Sequence, residues 1–445
     1  MASSSCSLSS LMIFLVVVTF VSPICSTSRR ALIDPKAMQI GFRVDLKHVD
    51  SGGNRTKFER LQRAMKRGNF RLQRLNEMVA KTDSEVSSPV YHGKGEFLMN
   101  LSIGTPPEPY SAIMDTGSDI IWTQCKPCQQ CFDVPTPVFD PTKSSSFSQL
   151  PCSSSLCSAL QFTYCGTDGC EYLYRYGFNS LSSSIQGAMA TETFTFGKVS
   201  VPNIEFGCGK NHTGSAFSIV AGLVGLSRGP LSLVSQLGAP KFSYCLTSIY
   251  DSSETSTLLI GSLAIVNSTG GKNSIITTPL IPNPSKPYFY YFSLQGITVG
   301  DTALPITFPL NQDGSGGIII DSGTTITYLE QSTFDLVKKE FISQTRLSVD
   351  KSGSTGLDLC FTLPSNASVV DVTPKLVFHF DGADMELPFE NYMIQLSDMG
   401  LMCLAMNGSS FGMSVFGNVQ QQNMMVIHDL AKETLSLIPT QCNQL

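Results

Sequence analysis

The sequence lacks the roughly 20-residue apolar run that a helix needs to cross a bilayer; its apolar stretch from Leu11 to Val21 stops well short, and no membrane anchor is expected. It is also poor in charge. Lys, Arg, Asp and Glu make up 15% of the 445 residues, against a usual share of about a quarter. No excess of Gly, Pro, Ser or Gln dominates, so disordered, collagen-like and coiled-coil architectures are excluded. A net charge of −5 gives no whole-chain reason to expect nucleic acid as a partner. The last residues, SLIPTQCNQL, show no hydrophobic tail of the kind that precedes a lipid anchor. What is present is a globular composition, 42% hydrophobic, with length enough for two domains.

Charge is unevenly spread. Residues 27–88 carry 14 basic and 7 acidic side chains, whereas residues 89–445 carry 16 and 28. Ahead of the basic segment, residues 1–26 have the short apolar core and small flanking residues of a secretory signal peptide, although no Lys or Arg precedes that core. Within the basic segment, Leu61, Met65, Leu72, Leu75 and Val79 recur at near-helical spacing. A solvated amphipathic helix has that pattern. Following a secretory signal, it reads as part of a propeptide, residues 27–88, that lies on the acidic body by charge complementarity. The stretch KTDSEVSSPV then reads as an exposed, cleavable linker.

Twelve cysteines lie beyond the signal, seven of them between Cys125 and Cys170. The C-x-x-C spacing in CKPCQQC also suits zinc. Thiolate ligands need a reducing compartment, however, so six disulfides and no metal are expected in a secreted chain. Sequons at Asn54, Asn100, Asn211, Asn267, Asn366 and Asn407 agree with secretion as glycosylation sites, with Asn100 inside a predicted strand. The extracellular space, a digestive fluid and the vacuole all remain open as destinations.

From residue 89 the texture changes to short alternating apolar runs, such as FLMNLSI, TETFTF, YFSLQGITV and KLVFHF, divided by Gly, Pro, Asn and Ser. That pattern is mainly β. Two stretches of this body also resemble each other. The first reads FLMNLSIG, SAIMDTGSDIIW and GLVGL; the second reads YFSLQGITVG, GIIIDSGTTITY and SVFGNV. Average residue usage predicts roughly 0.2 Asp-Ser/Thr-Gly tripeptides in a chain of this length, so two in matching apolar contexts are not accidental. The repeat predicts two β lobes, residues 89–265 and 266–445.

An apolar strand ending in Asp delivers a carboxylate from a β core into a turn, where the following Gly lets backbone N–H groups approach it. One such turn alone is ordinary structure. A pseudo-twofold axis that joins two of them places Asp115 and Asp321 in one site. Two touching carboxylates cannot both ionise, so the pair holds a single proton. The ionised member can then deprotonate a water attacking a carbonyl while the protonated member donates to the carbonyl oxygen. Amide hydrolysis follows without a cofactor.

These residues resemble the pepsin-like aspartic proteases, and within them the plant nepenthesin-like branch, over essentially all of residues 89–445. The motifs LSIGTPP, DTGSDIIWTQC, FGCG, GIIIDSGTT and FGNVQQQN carry the resemblance. It implies a bilobal fold with a central cleft, and a secreted, monomeric endopeptidase that is made as a zymogen and cleaves peptides or proteins at acidic pH. It implies Asp115 and Asp321 as the catalytic pair and Gly117 and Gly323 as backbone support. Ser118 and Thr324 would bond the outer carboxylate oxygens, and Thr116 and Ser322 would brace one loop against the other. It also implies a substrate-binding flap with Tyr176 and Gly177, met by Trp122. The implied disulfides are Cys125–Cys128, Cys131–Cys208, Cys152–Cys170, Cys157–Cys165, Cys245–Cys442 and Cys360–Cys403. The flap departs from the branch: Phe178-Asn179-Ser180 stands where Asp-Gly-Ser is usual, which predicts a stiffer, more apolar tip. The alternative is a catalytically silent binder or glycosidase inhibitor of the same fold; relatives of that kind tend to lose one Asp motif.

Overall fold

The computed structural model describes residues 41–79, 97–159, 162–176, 183–214, 220–250, 255–264, 275–363, 373–410 and 412–445. The predicted signal peptide, the cleavable linker, the flap tip from Gly177 to Leu181, Asn267 and Asn366 lie outside the described residues.

The architecture is mainly β, in two halves that repeat one design. Strand β1 (Phe42–His48) alternates buried and exposed positions along its whole length, as a strand with one wet face must. Helix α1 (Lys57–Val79) starts at a reciprocal cap: the Glu59 N–H donates to Thr56 Oγ1 at 3.1 Å and the Thr56 N–H to Glu59 Oε2 at 2.9 Å. Its residues Leu61, Met65, Leu72 and Leu75 are buried. In the N-terminal half, strands β2 (Phe97–Ile103) and β3 (Glu108–Asp115) pair antiparallel. Strand β3 then runs parallel to Gly222–Gly225, with Gly225 opposite Asp115. Gly222–Gly225 lies antiparallel to strand β4 (Ile121–Gln124), which pairs in parallel with Val199–Thr213.

The C-terminal half repeats that order. Ile318–Ile320 runs parallel to Ser414–Phe416, with Ile320 opposite Phe416. Ser414–Phe416 meets Thr327–Glu330 antiparallel at Tyr328 and Val415, and Thr327–Glu330 pairs in parallel with Met406–Ser409. Each half thus threads an Asp-bearing strand beside an apolar-apolar-Gly strand. The halves join where Lys241–Cys245 pairs with Met424–Asp429. Strand β1 enters the same sheet, pairing with Ser256–Ile260 on one side and β2 on the other. The basic segment is therefore built into the fold, not laid on its surface. Among the described residues no helix is long and apolar enough to cross a membrane.

Two disulfides, Cys245–Cys442 and Cys360–Cys403, have the pairing that the family resemblance implies. The other four do not. Cys125 bonds Cys208 instead of Cys128, and Cys128 bonds Cys131. The reason is strand register: Cys125 continues β4, whose partner strand places Thr123 opposite Cys208, and the Cys125 N–H donates to Gly209 O at 2.7 Å. Cys152 bonds Cys165 and Cys157 bonds Cys170, the reverse of the expectation. Cys165 and Cys170 face each other across a hairpin, and the Cys170 N–H donates to Leu150 O at 3.0 Å, which sets the hairpin against the loop carrying Cys152 and Cys157.

The sequons also separate. Asn54 and Asn100 are exposed, and Asn211 is half-buried. Asn407 is buried, its Nδ2 donates to Gly356 O at 3.1 Å and its Oδ1 accepts from the Asp358 N–H at 2.9 Å, so the expectation of a glycan there is corrected.

Candidate active site

Asp115 closes β3, and Asp321 directly follows Ile318–Ile320. Both carboxylates are buried. Each is held by the turn that follows it, in the same way. The Gly117 N–H donates to Asp115 Oδ1 at 3.0 Å, and the Gly323 N–H to Asp321 Oδ1, also at 3.0 Å. The Ser118 hydroxyl donates to Asp115 Oδ2, and the Thr324 hydroxyl to Asp321 Oδ2 at 2.6 Å. Across the axis, the Thr116 N–H donates to Ser322 Oγ at 3.2 Å and the Ser322 N–H to Thr116 Oγ1 at 2.9 Å. The two loops therefore brace each other through their hydroxyls.

The glycines matter for a further reason. A Cβ on Gly117 would lie 3.0 Å from Asp321 Oδ1, and one on Gly323 would lie 2.8 Å from Asp115 Oδ1. Each glycine faces the carboxylate of the opposite half. Any side chain there would force the two apart.

Between the carboxylates sits Arg71 of α1, itself buried. Its Nε donates to Asp321 Oδ2 at 2.8 Å and its Nη1 to Asp115 Oδ2 at 2.6 Å. Its Nη2 reaches Asp115 Oδ1, and Asp321 Oδ1 at 3.1 Å. One planar guanidinium thus contacts all four carboxylate oxygens, a geometry that a lysine ammonium cannot reproduce. Burial opposes the charge on Arg71, but the two carboxylates outweigh it and hold its pKa above the ordinary value. Burial likewise pushes the Asp321 carboxyl up, but Arg71, Thr324 and the Gly323 N–H together hold it below the usual range.

The rest of α1 spans the cleft. Arg60 Nη1 donates to Tyr250 O at 3.0 Å, Gln62 Nε2 donates to Ser354 O at 2.9 Å, and the Thr325 hydroxyl donates to Ala64 O at 3.2 Å. With its apolar stripe buried beneath it, the helix fills the space in front of the dyad.

Trp122 is fully buried in a small aromatic and aliphatic cluster, with its ring centroid 5.6 Å from that of His212. Tyr176 ends the strand Gly169–Tyr176, paired with Ser183. Its side chain and Gly177 lie outside the described residues. Two groups escaped the sequence reading. Arg71 looked like one more basic residue of a basic helix; the available signal was its helical register with Ala64 and Leu75, both buried. The second is an amide cluster in the FGNVQQQN motif. Thr327 donates from N and Oγ1 to Gln420 Oε1 at 3.0 and 2.6 Å, and Gln420 Nε2 donates to Asn391 O and Ala405 O at 2.8 and 3.0 Å. Asn418 Nδ2 donates to Ser322 O at 3.0 Å, tying the cluster to the second Asp loop.

Comparison with known proteins agrees with this arrangement. The family described as Xylanase inhibitor N-terminal matches residues 97–262, and Xylanase inhibitor C-terminal matches residues 289–438. The aspartic proteinase nepenthesin-1 of Nepenthes gracilis is 54% identical over 432 residues, covering 96% of each chain. The chain belongs to the plant nepenthesin-like branch of the pepsin-like aspartic proteases. Nepenthesin-2 of the same plant is 49% identical over 433 residues, again covering 96% of each chain. The crystal structure of basic 7S globulin from soybean superposes with a TM-score of 0.60 at 18% identity, over 78% of this chain and 95% of that one, a likeness of fold alone. This nepenthesin-like chain is an aspartic endopeptidase, acting on peptide bonds.

Proposed function

We propose that Asp115 and Asp321 are the carboxylates that activate the hydrolytic water, and that residues 27–88 are a propeptide holding a secreted zymogen closed until acidification. The observation that carries this reading is the single guanidinium of Arg71 shared by both carboxylates. Groups that one side chain bridges are close enough to share one proton once it leaves. The ionised carboxylate then takes a proton from water, whose oxygen bonds the peptide carbonyl carbon. The protonated one donates to the carbonyl oxygen, giving a neutral tetrahedral diol, and collapse expels the amine with a proton returned to its nitrogen. The Gly117 and Gly323 N–H groups and the Ser118 and Thr324 hydroxyls hold both carboxylates in line throughout.

While Arg71 is in place, it occupies the position of water and substrate. Its hold on Asp321 has a definite pH sign. Because that carboxyl is held below its ordinary range, the stabilisation is present above the usual Asp pKa of about 3.9 and fades as pH falls through the depressed value. The proform is expected to process at about pH 3 and to persist at about pH 7. Arg71→Ala should process at higher pH than the parent. SDS gels of the purified proform across pH, with peptide cleavage assayed in parallel and blocked by a statine-type transition-state mimic, check this. Equal processing at both pH values, or activity surviving Asp115→Ala, overturns the reading. Glycosylation fits best at exposed Asn54 and Asn100, and a monomer is the proposed state.

A further inference from the structure

Where the two halves join, four buried rings pack together. His428 of Met424–Asp429 is stacked on Phe242 of Lys241–Cys245. The ring centroid of Tyr244 lies 5.7 Å from that of His428, and the centroid of Tyr290 lies 4.6 Å from it. All four residues are fully buried. Neither ring nitrogen of His428 makes a hydrogen bond among the described residues, whereas both tyrosine hydroxyls do.

Each phenol reaches into the opposite half. Tyr290 belongs to the C-terminal half, next to the short strand Tyr291–Phe292 that pairs with Ile318–Ile320. Its hydroxyl donates to Leu226 O at 2.7 Å, and the Leu226 N–H in turn donates to Asp115 O at 2.8 Å. Its own carbonyl accepts from the Ile320 N–H at 3.1 Å, one residue before Asp321. A single residue thus ties together the main chain at both aspartates. Tyr244, from the N-terminal half, mirrors it. Its hydroxyl donates to Gln421 Oε1 at 2.7 Å, and Gln421 Nε2 donates to Phe416 O at 2.8 Å and to Asp321 O at 3.4 Å. Burial raises the pKa of both phenols above the ordinary value, with Arg228, Glu433 and Asp119 the charged groups acting on Tyr290 and Asp321 the one acting on Tyr244, so each hydroxyl keeps its proton at acidic and neutral pH.

Resting on the protease reading above, we propose that Tyr290 and Tyr244 are positioning residues of the dyad, each fixing from one half the main chain of the aspartate in the other. Neither hydroxyl touches a reacting atom. Their effect is on the separation of the carboxylates, and the interaction that splits the two proton affinities weakens as charges move apart. A tyrosine that merely fills the core would contribute to stability and leave that splitting alone.

The test compares Tyr290→Phe, Tyr244→Phe and the parent as activated enzymes on one peptide, with active sites counted by titration with a statine-type inhibitor. Tyr290→Phe should lower kcat per titrated site about 10-fold at nearly constant KM. It should also narrow the bell-shaped pH–kcat/KM profile, moving each limb inward by about half a pH unit. Tyr244→Phe should do the same to a smaller extent, because Gln421 keeps its bond to Phe416. Tyr291→Phe removes a buried hydroxyl from the next residue without touching either relay, and its profile should match the parent's. Unmoved limbs in Tyr290→Phe overturn the inference, even if kcat or the melting temperature falls, and so does an equal narrowing in Tyr291→Phe; should Tyr290→Phe fail to fold, the limbs of Tyr244→Phe decide in the same way. All of these outcomes leave a cleaving parent and the protease reading intact, whereas a parent that cleaves no peptide overturns that reading itself.

Discussion

The two Asp-bearing turns present the same hydrogen bonds with their hydroxyls exchanged. The first reads Asp115-Thr116-Gly117-Ser118 and the second Asp321-Ser322-Gly323-Thr324, so the bracing and carboxylate-bonding positions swap Thr for Ser. Behind the carboxylates the halves diverge. The first turn rests on an apolar cluster containing Ile113, Ile120, Trp122 and Leu223. The second rests on buried amides, with Gln420 making four hydrogen bonds and Gln421 Nε2 donating to Phe416 O at 2.8 Å. A duplicated site must conserve the donors at its reacting atoms, because these set charge and geometry. What supports those donors can be greasy or polar, provided it is densely packed or fully hydrogen-bonded.

That equivalence can be broken most severely at the carboxylates. Asp115→Asn and Asp321→Asn are each expected to lower kcat by about 10³-fold or more, and the double variant by little more than either alone, since the pair acts as one unit. Steady-state kinetics on a single peptide decide it; an order of magnitude between the single variants would mean that the halves are not equivalent.

The unlike foundations predict unlike stability losses. Gln420→Ala strands the Thr327 N–H and two carbonyls in a buried site and should cost about 3 kcal/mol by urea unfolding, with activity falling in step with the folded fraction. The matched turn hydroxyls sharpen the symmetry at smaller scale. Ser118→Ala and Thr324→Val each remove a donor to a carboxylate, worth about 2 kcal/mol. Thr324→Val should also raise the acid limb of the pH–kcat/KM profile, because Asp321 loses one of the donors that hold its carboxyl below the usual range.

The smallest effect concerns two buried histidines. His428 is stacked on Phe242 with ring centroids 4.4 Å apart and makes no hydrogen bond among the described residues; burial, then the Arg228 charge, pushes its pKa down to about 3. His212, beside Trp122, is pushed down to about 4 by burial, against a raising contribution from Gly209. In the unfolded chain both take up a proton near about pH 6.5, so stability present above that pH is lost progressively as pH falls toward the folded values. His428→Phe should flatten the loss of melting temperature between about pH 6 and pH 3, and His212→Phe should do so less. Unchanged slopes in both would remove histidine burial as a cause of acid instability.

Much of this was legible in the chain. The repeat, the two Asp tripeptides and the helical stripe of Leu61, Met65, Leu72 and Leu75 are local patterns, and a strand or helix face is set by neighbours a few positions away. Arg71 was not legible as a plug, because its partners lie 44 and 250 residues along the chain and nothing local distinguishes it from the other arginines of the same helix. The cysteines of residues 125–208 failed for a related reason. Their spacing allows many connectivities, and strand register chooses among them.

By itself the amino-acid order determined the mainly β character, the two carboxylate-bearing turns and the amphipathic basic helix, since each depends on short-range periodicity and turn chemistry. Only the tertiary structure decided which carboxylates share a guanidinium and which thiols join. Those outcomes depend on how distant strands align, and a side chain's charge, burial and partners are properties of the space it is delivered into.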